Sequence, residues 1–179
     1  MRHRPYPAPL RWVHWITLLL IAGAFILIFR ATSMPFTPAG DTLANWHRTL
    51  GIAIWLLAVP RLAWRLFAGA PPPDPLLPVW QERAALLTHW ALYALLVLQP
   101  ILGYLASNLW NVPVKLFDRV PLPALVGEMK PLNDYVEALH AYAGWLMLLL
   151  IGLHSTAALY HHFWRRDGVM RRMLPSLGA

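Results

Sequence analysis

Eight histidines and no cysteine set the chemistry open to this chain of 179 residues. Without thiols there are no disulfides, no thiolate zinc sites, no iron–sulfur clusters and no covalent C-x-x-C-H haem attachment. What remains is imidazole, which ligates metals and carries protons near neutral pH. The spacing is informative. His140 and His154 are fourteen residues apart. On a helix they would lie within about 40° of each other and about 21 Å apart along the axis. One helix could thus present two ligands on one face, at two depths. His161 follows seven residues after His154, within about 20° of the same face and about 10 Å further on. His162 is turned roughly 100° away. Gly51 and Gly144 each follow a histidine, His47 and His140, by four residues. One turn from a ligand, a missing side chain leaves room for a flat macrocycle. A small residue there also serves helix–helix packing in membranes. The spacing leaves both readings open.

The elements that must position these residues are apolar. The chain is 58% hydrophobic and 13% charged, against about 25% charged in a typical soluble domain. Four apolar stretches reach the roughly 20 residues that span a bilayer: Leu10 to Phe29, Leu43 to Phe67, Ala84 to Ala106 and Tyr135 to Trp164. They predict an all-α integral membrane four-helix bundle, a single domain over residues 1–179. A cleaved signal peptide is the alternative for the first stretch, with Arg2, Arg4 and Arg11 before it and Ala31 and Ser33 after it. Its apolar core exceeds the 7–15 residues of such a leader. The second connector is proline-rich (Pro71, Pro72, Pro73, Pro75 and Pro78) and reads as stiff and extended. The third, Ser107 to Asp134, is the longest, and its run Val112 to Phe117 is a candidate short interfacial helix.

The formal charge of +7 forms no stripe of the kind that binds nucleic acid. Instead, Arg2, Arg4, Arg11, Arg61, Arg65, Arg83, Arg165, Arg166, Arg171 and Arg172 fall on one side of the predicted bundle. Arg30, Arg48, Lys115, Arg119 and Lys130 fall on the other. The positive-inside rule then places both termini in the cytoplasm. The sparser side also carries Asp41, Asp118, Glu128, Asp134 and Glu137, so it is close to neutral. With this orientation the histidines sort by depth. His47 and His140 share a periplasmic level, and His14, His89 and His154 share a cytoplasmic one. Ionisable groups inside lipid are functional candidates by default, and facing helices of a bundle commonly build cofactor sites. Two layers of paired imidazoles suit two haems, each needing two axial nitrogens. Spacing alone does not decide whether His14 or His89 partners His154. Arg30 and Arg48 are placed to meet the propionates of a periplasmic haem, and Arg11 and Arg83 those of a cytoplasmic one. Interfacial snorkelling would place the same residues there.

The chain resembles the bacterial cytochrome b561 family. The fullest match is the tail, Gly152-Leu153-His154-Ser155-Thr156-Ala157-Ala158-Leu159-Tyr160-His161-His162-Phe163 with Asp167 and Arg172-Met173-Leu174-Pro175. Supporting matches are Arg11-Trp12-Val13-His14-Trp15, Trp46-His47-Arg48-Thr49-Leu50-Gly51, His89 with Tyr93, Pro100 and Gly103, and Leu139-His140 with Gly144. The resemblance implies two b-type haems with bis-histidine ligation. It pairs His14 with His154 on the cytoplasmic side and His47 with His140 on the periplasmic side, leaving His89 a non-ligand. Some members of that family are superoxide oxidases, which pass an electron from periplasmic superoxide to ubiquinone.

The expected function is therefore electron transfer across a bacterial inner membrane, from superoxide or another one-electron donor to ubiquinone. His161 is the candidate proton carrier lining the quinone site, a role expected of it and not of His162. A second reading is a cytochrome b anchor subunit working between quinone and a separate dehydrogenase or hydrogenase partner. A third, of a different class, is a haem-free transporter or structural protein.

Overall fold

A computed structural model of the chain describes residues 5–72 and 77–174. Arg2, His3, Arg4, Pro73, Pro75 and Pro175 lie outside the described residues. Four long helices follow one another: α1 (Ala8–Thr32), α2 (Pro38–Ala68), α3 (Val79–Leu109) and α4 (Lys130–Tyr160). α4 continues into a π-helical turn, His161–Arg165. All four are long and apolar enough to cross a membrane. Each starts or ends a few residues beyond the apolar stretch that predicts it. The reason is local. Pro38 and Pro131 sit in the first turns of α2 and α4, where a missing N–H costs no hydrogen bond. Thr37 caps α2, its hydroxyl accepting from Gly40 N at 3.1 Å.

α1 packs on α2, α2 on α3, and α3 on α4. The core is a mid-bundle cluster of Ile21, Ala24, Ile54, Ala58, Leu95, Leu96 and Met147. On α2 and α4 its residues fall between the two histidine levels, which it separates with apolar side chains. Many large apolar residues elsewhere face outward; Leu19 and Leu87 are each 71% exposed. An outward apolar surface of this kind fits a lipid solvent, in which exposed hydrocarbon costs nothing.

The third connector corrects one expectation. Residues 112–117 form no helix. They lead into a two-stranded antiparallel hairpin, β1 (Lys115–Leu116) with β2 (Val120–Pro121). Phe117 and Asp118 both take positive φ, 52° and 56°, and Arg119 N donates to Leu116 O at 3.0 Å. Two positive-φ residues joining two strands make the tight turn that matches strand twist. The partners for this backbone come from α2. Thr49 Oγ1 accepts from Phe117 N at 3.0 Å. The Asp118 carboxylate accepts from Asn45 Nδ2 at 2.8 Å and Thr42 Oγ1 at 3.3 Å. A helix of six residues, containing Pro113, has no comparable source of stability.

Candidate functional site

The first site lies where α2 and α4 face each other. The rings of His47 and His140 have centroids 6.2 Å apart and planes at 85°. His47 Nδ1 lies 2.8 Å from Ala24 O, and His140 Nδ1 lies 3.1 Å from Gln99 O. A carbonyl only accepts, so Nδ1 carries the proton on both rings and Nε2 keeps a free lone pair. This is the arrangement found for metal-bound histidine, whose second nitrogen donates to a carbonyl or carboxylate. A metal bound collinearly by two imidazoles needs bonds of about 2 Å, which puts the ring centres roughly 6 Å apart. The separation of this pair meets that requirement.

A cavity of about 700 Å³ adjoins the two rings, within the range of about 300–1,000 Å³ typical of ligand pockets. Residues of all four helices and of the third connector line it. A Cβ added at Gly51 would meet nothing within 4 Å, so that glycine leaves open space beside His47. Gly144 lines the cavity too, but its absent Cβ makes room for Gln99, whose Nε2 would lie 3.1 Å away. Arg48 lines the cavity, its guanidinium donating to Ser107 Oγ at 3.0 Å and Asn45 Oδ1 at 3.1 Å. Arg30 is exposed on the last turn of α1 and does not line the cavity. Among the described residues, no group of three or more His, Asp or Glu side chains gathers as a metal cage. Two facing imidazoles beside an apolar slot instead suit a metal whose other ligands come from a planar macrocycle. The residues present therefore fit a haem.

The second site holds three imidazoles. His14 and His154 have ring centroids 6.2 Å apart at 73°, and His89 and His154 are 5.3 Å apart at 70°. The geometry brings both candidates to His154. Arg61 Nη2 lies 3.1 Å from His14 Nδ1, and its guanidinium lies over the Tyr93 ring at 5.6 Å. A guanidinium only donates, so His14 Nδ1 accepts here, the opposite of the polarity at His47 and His140. The sequence reading did not single out Arg61. Its signal was available, because Arg61 follows His47 by the same fourteen residues that separate His140 from His154. Arg11 instead donates to Leu174 O at 2.8 Å, and Arg83 is exposed on α3.

Beyond His154, His161 is buried, with Nδ1 2.5 Å from Asp167 Oδ2. Asp167 also lies 3.6 Å from Arg165 Nε and accepts from Val169 N at 3.1 Å. Arg166, at φ 53°, turns the chain back so that Asp167 N reaches His161 O at 3.2 Å. His162 instead stacks edge-on against Phe163 at 4.8 Å, its Nδ1 buried without a partner. The π-helical turn and the left-handed residue after it are what bring the carboxylate to His161 and not to its neighbour. π-turns recur at functional sites. The sequence match included Asp167 but assigned it no role.

Comparison with known proteins agrees with this architecture. A family model for prokaryotic cytochrome b561 matches residues 5–176. The chain is 30% identical over 162 residues to cytochrome b561 homolog 2 of Escherichia coli K12, covering 90% of this chain and 86% of that protein. It is 30% identical over 173 residues to cytochrome b561 homolog 1 of the same strain, covering 92% and 93%. It is 28% identical over 183 residues to a Yersinia pestis protein named probable superoxide oxidase CybB, covering 97% of each.

Proposed function

Given that the chain belongs to the prokaryotic cytochrome b561 family of membrane electron-transfer proteins, we propose that it carries electrons from periplasmic superoxide to ubiquinone through two bis-histidine haems. His47 and His140 would hold the periplasmic haem, and His14 and His154 the cytoplasmic one. The family binds haem b, which supplies one-electron redox chemistry within the bilayer. The observation that carries the reading is the stacking of two facing imidazole pairs along α4, with equal centroid separations of 6.2 Å. His140 and His154 sit about 21 Å apart along that helix.

The remaining roles belong to side chains. Arg48 offers its guanidinium at the periplasmic cavity, where a propionate would otherwise stay uncompensated. Gly51 leaves the slot beside His47 open. Of the other candidate propionate partners, Arg30 and Arg83 are exposed and Arg11 donates to Leu174 O at 2.8 Å. Support for His161 as the quinone-site acid comes from its hydrogen bond to Asp167. With Nδ1 committed to the carboxylate, Nε2 is the atom that gives a proton to a quinone oxygen. Lys/Arg asymmetry supports the orientation with both termini in the cytoplasm of the bacterial inner membrane.

One observation favours a second reading. The periplasmic side balances Arg30, Arg48, Lys115, Arg119 and Lys130 with five carboxylates. A near-neutral face also suits a neutral donor, or a partner dehydrogenase for which this chain is the anchor subunit. Stopped-flow reduction of the haems by superoxide, with and without ubiquinone, separates the two. Reduction by superoxide that ubiquinone then reverses is the expected result. No reduction by superoxide, with rapid reduction by a quinol, would establish the anchor reading.

A further inference from the structure

α3 and α4 meet through two short segments of the same design. In α3, Gln99 is followed four residues later by Gly103; in α4, His140 is followed four residues later by Gly144. Each polar residue lies against the glycine of the other helix. A Cβ at Gly103 would come within 3.0 Å of the His140 ring, and one at Gly144 within 3.1 Å of the Gln99 amide. Each polar side chain also bonds the other residue's backbone. Gln99 Nε2 donates to His140 O at 3.0 Å, and His140 Nδ1 donates to Gln99 O at 3.1 Å. The result is a reciprocal, two-point lock between helices. Among the described residues, the His47 ring is held instead by the carbonyl of Ala24.

A glutamine here requires an explanation. Its residue is 9% exposed, and its Oε1 is buried without a hydrogen-bond partner. Leaving an acceptor unpaired in an apolar interior costs stability, and a leucine would fill the same volume without that cost. The amide cannot be reversed to relieve it, because an oxygen would then face the His140 carbonyl. What the glutamine supplies is the donor that ties α3 to α4 at the ligand residue itself.

We propose that Gln99 is a positioning residue for the cofactor of the His47–His140 site. With Gly103 and Gly144 it fixes the plane of the His140 imidazole, and through that plane it sets the redox potential of the haem held there. The inference rests on the reading that His47 and His140 are haem ligands. Ring orientation and the hydrogen bond at the distal nitrogen both tune a metal-bound histidine. The His47 and His140 ring planes lie at 85°; planes kept near perpendicular would give a ferric haem held between them a strongly anisotropic electron paramagnetic resonance signal, whereas parallel planes would give a rhombic one.

The test uses the purified full-length protein with its haems. Gln99→Leu and Gly144→Ala are compared with the native protein by haem content, by resonance spectrum and by potentiometric titration. Both variants are expected to keep two haems. One ferric signal should become less anisotropic and its midpoint potential should shift, while the other haem keeps its signal and potential. Gly144→Ala should act in the same direction but less, since it displaces the amide without removing it. Unchanged signals and potentials in both variants would overturn the proposal, even if thermal stability fell. Should Gln99→Leu lose a haem, Gly144→Ala decides by the same criterion. Loss of haem in both would also overturn it, because a lock on the ring plane leaves both ligating nitrogens in place. His140→Ala separates the premise from the inference. If that variant keeps both haems, the ligand reading fails; if it loses one while Gln99→Leu changes nothing, only the lock fails.

Discussion

The two imidazole layers have the same centroid separation and opposite preparation. At the His47 layer both Nδ1 atoms donate to backbone carbonyls and both Nε2 atoms are free. At the His154 layer a guanidinium donates to His14 Nδ1, and a third ring, His89, lies closer to His154 than His14 does. A neutral His14 accepting at Nδ1 carries its proton on Nε2, the nitrogen that would bind iron. Haem binding at that layer therefore requires Arg61 to release His14. The lesson is that equal spacing along α4 does not make equal sites. One layer is ordered by backbone, which cannot change its polarity, and the other by side chains, which can exchange partners.

The largest expected effects test whether these are ligand pairs at all. His47→Ala and His140→Ala should each lower haem content from two to one per chain, measured as pyridine haemochrome. His154→Ala should do the same for the other haem. Of its two candidate partners, His14→Ala should lose that haem and His89→Ala should keep it. The reverse outcome would make His89 the ligand and leave His14 paired with Arg61 permanently.

The next effect is kinetic and belongs to the far side of the His154 layer. General acid catalysis is worth about 10²–10⁴-fold. His161→Ala should slow quinone reduction by about 10²-fold with both haems present, and His162→Ala should leave it near normal. Asp167→Asn should cost roughly tenfold, because the amide still accepts from Nδ1 but no longer balances an imidazolium. Equal rates in the His161 and His162 variants would remove the asymmetry that the π-helical turn creates.

How much of this was legible beforehand depended on range. The four spans follow from runs of apolar residues, since lipid imposes the same demand on every position of a helix. The depth of each histidine follows from counting along those spans, so the pairing of His47 with His140 was accessible without coordinates. What α3 places against α4 was not, because it depends on helix rotation and register. Gln99 carries no local signal that marks it as the partner of His140. The hairpin was hidden for another reason. Phe117 and Asp118 take positive φ without the glycine or asparagine that usually announces such a turn, and the groups that hold them, Thr42, Asn45 and Thr49, are some seventy residues away in the chain. Arg61, fourteen residues after His47, is by contrast legible from spacing alone.

A smaller effect tests the role of Arg61. Removing a cation beside a haem ligand disfavours the reduced form less than the oxidised one is relieved. At an effective dielectric of about 20, unit charges some 8 Å apart interact by roughly 2 kcal/mol. Arg61→Gln should therefore lower the midpoint potential of the His154-layer haem by tens of millivolts in a potentiometric titration and leave the other unchanged. A shift in both, or in neither, would deny the guanidinium its place at the second layer.

The smallest expected effect compares the two faces through salt. An anionic donor is steered by positive potential, and screening weakens steering as the Debye length falls from about 30 Å at 0.01 M to about 8 Å at 0.15 M. On the proposed donor face the cations to test are Arg48, which lines the cavity, with Lys115 and Arg119 of the hairpin. Asp118 and Glu137 lie near them: Asp118 is held to α2 by Asn45, and Glu137 lines the cavity. Opposing charges so near leave only the low end of the tenfold-to-thousandfold range that steering can contribute. Reduction of the haems by superoxide should therefore slow only a few-fold across that salt range, and neutralising Lys115 and Arg119 together should remove most of the dependence. Ubiquinone is neutral, so its reduction at the opposite face should show no comparable slope. The contrast in slope is the measurement that matters, because a change in folding or in haem content would move both rates together. A superoxide rate independent of salt, in a protein whose quinone rate is also flat, would point to a neutral donor at the periplasmic cavity and to the anchor-subunit reading.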